Sequence, residues 1–115
     1  MNNIKDREFY LQFLNGRYVK FDKNNMEIWK NPIVETINKN NATLWKIDYI
    51  ENGGRFIIIE SQNYYNKEYN YLRYLDEDLN FTYTRFIYDE NKGYIYAYKR
   101  RKNKIGGSVV CYKIA

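Results

Sequence analysis

Histidine is absent from this 115-residue chain, and cysteine and proline occur once each. Without histidine there can be no Ser-His-Asp triad, no Cys-His pair, no His-ligated metal and no imidazole acid–base catalyst. With Cys111 alone, neither an internal disulfide nor a cysteine-built zinc site can form. Cys111 sits in the apolar run Val109-Val110-Cys111-Tyr112, which reads as a strand holding a small buried thiol. No apolar stretch approaches the ~20 residues of a membrane span, and Ile57-Ile58-Ile59 reads as a strand centre. The opening Met1-Asn2-Asn3-Ile4-Lys5-Asp6 is polar and has no signal-peptide apolar region, so a reducing, cytoplasmic location is expected.

Aromatic residues are plentiful: 14 Tyr, 6 Phe and 2 Trp make up 19% of the chain. Asn, Lys, Ile, Tyr and Phe together supply more than half of it, and all five have AT-rich codons. Hydrophobic residues at 44% and charged residues at 29% give a globular composition. A chain this long buries roughly two-thirds of its unfolded surface, enough for one core, so residues 1–115 are read as a single domain.

The dominant sequence period is two, which predicts an all-β protein. Phe9, Leu11 and Phe13 alternate with Tyr10 and Gln12, and Val19 and Phe21 alternate with Tyr18 and Lys20. A three-residue loop, Leu14-Asn15-Gly16 with Gly16 left-handed, would set Phe13 against Arg17, Leu11 against Val19 and Phe9 against Phe21. A helix from about Asp6 to Asn15, capped by Gly16, is the rival. Further strands are expected at Met26–Lys30, Leu44–Ile50, Arg55–Glu60, Tyr71–Asp76, Leu79–Thr84, Arg85–Asp89, Tyr94–Lys99 and Ser108–Ile114. Trp45, Ile47 and Tyr49 should share one face, and Trp45, Ile47, Phe56 and Ile58 should be core. The stretches Ile33–Asn41 and Ser61–Asn70 read as long loops or short helical insertions.

An approximate internal repeat is present. Leu44-Trp45-Lys46-Ile47, a glycine turn and Phe56-Ile57-Ile58 parallel Arg85-Phe86-Ile87-Tyr88, a glycine turn and Tyr94-Ile95-Tyr96; Gly16-Arg17-Tyr18-Val19 parallels Asn70-Tyr71-Leu72. In these segments the chain resembles β-trefoil domains of the ricin-B, fascin and hisactophilin type. The third repeat, Gly93 to Ala115, is short, and Thr43 stands where the lectin branch has a Gln. The resemblance implies a small closed barrel, a truncated β-trefoil; a two-sheet sandwich is the alternative architecture.

Charge is uneven. The formal net charge is +5, of which residues 61–115 carry +4. From residue 92 onward there are seven basic residues and no acidic one, and Lys99, Arg100, Arg101, Lys102 and Lys104 fall within six positions. Such a cluster repels itself unless an anion or salt screens it, and arginines can fork onto phosphate oxygens. Its plain alternative is a solvated loop that blunts an edge strand. Tyr64, Tyr65 and Tyr69, in the Asn-rich loop, form an aromatic contact set suited to stacking on bases or sugars, or to capping a small core. The acidic trio Asp76-Glu77-Asp78 reads as a turn, with no second carboxylate cluster to complete a metal site, so no metal or cofactor is expected.

The function expected from these features is non-catalytic: a basic C-terminal hairpin and a Tyr/Asn loop that engage nucleic acid or a nucleoprotein with an anionic surface. A small phage or mobile-element inhibitor of a host nuclease would look like this. The alternative is a lectin-like sugar- or protein-binding module. A His-free nuclease using Glu and Arg is the residual enzymatic reading, and no spacing singles one out.

Overall fold

The computed structural model describes residues 4–22, 33–65, 70–72, 84–99 and 108–115, and at Lys99 and Ser108 the backbone alone. Among these residues the fold is all-β, with two short 3-10 turns at Lys39–Asn41 and Ser61–Asn63 and no α-helix. The eight strands are β1 (Leu11–Gln12), β2 (Tyr18–Phe21), β3 (Ile33–Thr36), β4 (Trp45–Ile50), β5 (Phe56–Glu60), β6 (Ile87–Asp89), β7 (Tyr94–Lys99) and β8 (Ser108–Ile114). They form a six-stranded sheet in the order β3-β2-β1-β8-β7-β6 and a two-stranded sheet of β4 and β5. Among the described residues no continuous ladder closes these sheets into a barrel.

The first hairpin forms as its glycine predicts. Gly16 has φ 88°, the left-handed region that a side chain resists. The Phe13 N–H donates to the Arg17 carbonyl at 2.8 Å, and Gln12 pairs with Tyr18. The rival helix is not formed. Beyond Gln12 the expected register ends, and Phe9 does not face Phe21. Phe9 instead exchanges two backbone hydrogen bonds with Trp45, at 3.0 and 2.8 Å. Thr43 takes up β2's groups: its N–H donates to the Val19 carbonyl, and its hydroxyl accepts from the Phe21 N–H at 2.8 Å. Strands β1 and β2 therefore diverge, and the chain at Thr43 enters the gap.

Two further expectations change. Ile33–Thr36 is not loop: its β-branched Ile33, Val34 and Thr36 favour a strand, which pairs with β2 from Phe21↔Ile33 to Tyr18↔Thr36. In β4 the register shifts between Ile47 and Tyr49, a bulge at Asp48 that reverses the alternation. Trp45 and Ile47 stay buried, Ile50 packs on the core, and Tyr49 turns out to 56% exposure. The expected strand Met26–Lys30, most of Tyr71–Asp76 and Leu79–Thr84, and the acidic trio lie outside the described residues.

Strand β5 is buried along its whole length, and its Ile57-Ile58-Ile59 run lacks the alternation of a half-exposed strand. β4 pairs with one edge. On the other, Phe56 bridges to Phe86, the Leu72 N–H donates to the Ile58 carbonyl, and the Glu60 N–H donates to the Asn70 carbonyl. Trp45, Phe56 and Ile58 are buried with Phe9, Leu11, Phe86, Ile95 and Tyr112 in one core. Outside it, Glu51 at the end of β4 forms ion pairs with Arg55 at 3.2 Å and with Arg85.

Removing the Trp45 side chain leaves a large cavity, so Trp45→Ala should cost about 3–5 kcal/mol in urea denaturation. Tyr112 packs edge-on against Phe13 at 5.5 Å, but its hydroxyl has no hydrogen-bond partner among the described residues, and burial pushes its pKa up. Tyr112→Phe keeps the ring and removes an unsatisfied group, so stability should rise by about 1–2 kcal/mol; a loss of similar size would mean the hydroxyl is satisfied. The hydrogen bond from Arg85 is the main reason that the Glu51 carboxyl titrates below its ordinary 4.5. A lowered folded-state pKa contributes stability above the ordinary value, and this is lost as pH falls through the folded value. Thermal melts of Glu51→Gln should therefore fall less steeply than wild type as pH drops below 4.5.

Candidate nucleic-acid interface

Antiparallel pairing joins β7 and β8 from Tyr94↔Lys113 to Lys99↔Ser108. Lys99 is the last residue of β7, so the chain leaves and re-enters the sheet at adjacent positions. Arg100, Arg101, Lys102 and Lys104 lie outside the described residues. Alternation along β7 is strict: Ile95 and Ala97 are buried, whereas Tyr94, Tyr96 and Tyr98 face outward. Tyr98 is 67% exposed, and its ring meets Tyr96 edge-to-face at 6.0 Å. On β8 the residues opposite are Val109, Cys111 and Lys113.

The second aromatic cluster is divided. Tyr65 is 96% exposed and packs edge-to-face on Tyr64 at 5.2 Å. The Lys46 ammonium sits 4.5 Å from the centre of the Tyr64 ring, so the pair carries a fixed cation beside it. Tyr69 lies outside the described residues, whereas the Tyr71 hydroxyl donates to Asp48 at 3.1 Å and ties 70–72 to the β4 bulge.

These two tyrosines follow the end of β5, where Glu60 pairs with Trp45 and Trp45 bridges to Phe9. The Ala115 N–H donates to the Tyr10 carbonyl, which puts that region beside the last residue of β8. Lys99 pairs at the first residue of β8. The strand between these two points is about 20 Å long.

The divergence of β1 and β2 around Thr43 opens a cleft of about 430 Å³. Tyr10 forms part of its wall, with the Lys39 ammonium 5.1 Å from the ring centre. Lys20, Asp22, Asn40, Asn41 and Gln62 give the lining its polar character, with Phe21 and Leu44 among them. Glu60, also in the lining, is nearly fully buried and accepts a hydrogen bond from the Asn63 amide at 2.9 Å. Because these residues are scattered from position 10 to position 62, no local motif could have announced the cleft.

Cys111 departs from its expected burial. Tyr112 takes the inward position on β8, so its neighbour points outward and is half-buried opposite Tyr96. Partial burial pushes its thiol pKa up, with the Lys92 charge opposing, which disfavours a reactive thiolate. Among the described residues there is no group of three or more metal-ligating side chains, and no helix is long and apolar enough to cross a membrane.

The chain matches no protein-family profile, no curated protein and no solved structure.

Proposed function

We propose that this protein is a non-catalytic binding protein that engages an anionic partner, a nucleic acid or nucleoprotein, through the basic run that connects β7 to β8. The observation that supports this reading is the β7–β8 pairing, which reaches Lys99↔Ser108 and so brings together the two chain positions that flank Arg100, Arg101, Lys102 and Lys104 in the sequence. Like charges this close in sequence repel one another, and phosphates relieve that repulsion. Tyr64 and Tyr65, with Lys46 beside them, supply the stacking part of the same contact. A cytoplasmic setting, and use by a phage or mobile element to block a host nuclease, fit a small basic domain of this kind.

A second reading rests on the cleft. Its amides, its carboxylates and the Tyr10 ring are the groups that hold sugar hydroxyls, which favours a lectin-like module. This reading goes with the finer architecture, a trefoil-like barrel. The bridges Phe9↔Trp45 and Phe56↔Phe86 support it, since they join the two ends of the small sheet to chain continuous with β1 and β6.

Replacing Lys99, Arg100, Arg101 and Lys102 together with Ser should leave the melting temperature nearly unchanged, the result expected of charges that serve a partner and contribute only about 0–1 kcal/mol each to the fold. Nucleic-acid affinity should fall at least about tenfold, and the log–log salt slope should flatten by up to about 0.9 per residue engaged on duplex DNA. Changing Tyr64 and Tyr65 to Ala should add a salt-independent loss of ~1–3 kcal/mol per stacked base. Unchanged affinity and slope in the four-Ser variant would reduce the run to a solubility device. Glycan binding that persists at high salt and is lost in Glu60→Gln would favour the second reading.

A further inference from the structure

The outer face of β6, β7 and β8 carries aromatic and aliphatic groups where a sheet usually turns polar groups to water. Tyr98 and Val109 are directly opposite each other and 67% and 52% exposed. The next row holds Ile87, Tyr96 and Cys111, and the row beyond it Asp89, Tyr94 and Lys113. Together these side chains make a strip three strands wide with the tyrosines along its middle.

We infer that this strip is a stacking platform for single-stranded nucleic acid, laid along β7 from the Lys99 end toward Tyr94. The inference rests on the anionic-partner reading and names the class of partner that reading leaves open. Three features of the face select this occupant. Alternate residues of a strand stand about 6.7 Å apart, so Tyr94, Tyr96 and Tyr98 form a row along β7; Tyr96 and Tyr98 stand at 88° to each other, and the exposed Tyr98 ring offers the free surface for a base at one end of that row. Bases inside a duplex are already stacked on one another and present no free face to such rings, whereas unpaired bases do.

Charge is the second feature. Lys113 lies opposite Tyr94, and Lys92 is near enough to act on the Cys111 thiol. From residue 92 to residue 115 no carboxylate side chain opposes them. Asp89 is the acid on this face, and its Oδ1 already accepts the backbone N–H groups of Asn91 and Lys92 at 3.1 and 3.2 Å.

The third feature is what the tyrosines lack around them. A sugar held on a ring needs carboxylates and amides at its edge, and those gather in the cleft between β1 and β2. Apart from Asp89, whose Oδ1 is engaged by the turn that follows it, the tyrosine strip has Val109, Ile87, Cys111 and Lys113 beside its rings, which suits a base above a ring and a phosphate beside it.

The test uses a fluorescently labelled oligo-dT, its duplex of equal length, and the full chain at two salt concentrations. The single strand should bind more tightly than the duplex. Tyr98→Ala should weaken it by roughly 5- to 100-fold at both salts without changing the slope, and Tyr98→Phe should restore most of the affinity. Because Tyr98 is exposed, its loss should leave the fold intact, which circular dichroism checks. A second readout needs no variant: saturating oligo-dT should slow alkylation of Cys111, the chain's one thiol, several-fold.

Equal affinity for single strand and duplex, or Tyr98→Ala binding as wild type does, would overturn the platform. If the four-Ser variant loses binding in that case, the basic-run reading stands and only the platform falls. If the unaltered protein binds neither oligonucleotide at low salt, both fall.

Discussion

Strand β5 is buried on both faces and must be hydrogen-bonded on both edges, and the rest of the fold is arranged to meet that demand. A buried strand with an open edge would leave carbonyl and amide groups without partners at about 1–3 kcal/mol each. β4 satisfies one edge, and residues 70–72 with Phe86 satisfy the other. Phe86 leads directly into β6, and β4 reaches Phe9, which leads into β1. The small sheet is thereby tied at two points to chain that continues into the large one. Trp45 is central because it takes part in both tasks: its ring fills the core while its backbone pairs with Glu60 on one side and Phe9 on the other.

The same connection accounts for the polar cleft. Once Phe9 pairs with Trp45, it cannot continue the hairpin opposite Phe21, and β2 needs another partner. Thr43 supplies one through its backbone N–H and its hydroxyl. The splayed strands leave a pocket whose walls come from β2, the 3-10 turn at Lys39–Asn41 and the end of β5. Its polar lining therefore follows from how two sheets are joined and has no counterpart in any single stretch of sequence.

What could be read in the sequence was local. The glycine turns at Gly16, Gly53-Gly54 and Gly93 all adopt positive φ, and the strands beside them fall where alternation put them, β8 to the residue. Long-range partners were not legible: alternation along Phe9–Phe13 identifies a strand and does not say that Trp45 replaces Phe21 across from Phe9. Nor does it reveal a bulge, because one extra residue at Asp48 reverses the pattern without any unusual residue type. Ile33–Thr36 was hidden by its Asn-rich surroundings, although its own residues are β-branched. Of the two expected aromatic contact residues that the structure describes, Tyr65 is exposed and Tyr64 packs edge-to-face against it. Lys46, eighteen positions earlier, joins them only through the β4–β5 pairing.

Alternation on β7 also separates stability from recognition within one strand. Ile95 and Ala97 face the core, so they are constrained by packing against Tyr112 and its neighbours. Tyr94, Tyr96 and Tyr98 face outward, where a change of side chain costs the fold little. Pairing with β8 along the whole strand, and with β6 from Tyr94 to Tyr96, holds the backbone beneath those outward rings at fixed spacing, so a ligand need not order it on binding. A loop carrying the same tyrosines would lose conformational freedom on contact and bind less tightly for the same area. A tyrosine-rich sheet face is therefore a pre-organised surface, and the lysines at its edges bias it toward anions. The fold and the face are encoded by alternate letters of the same segment, so substitutions on one can vary with little effect on the other.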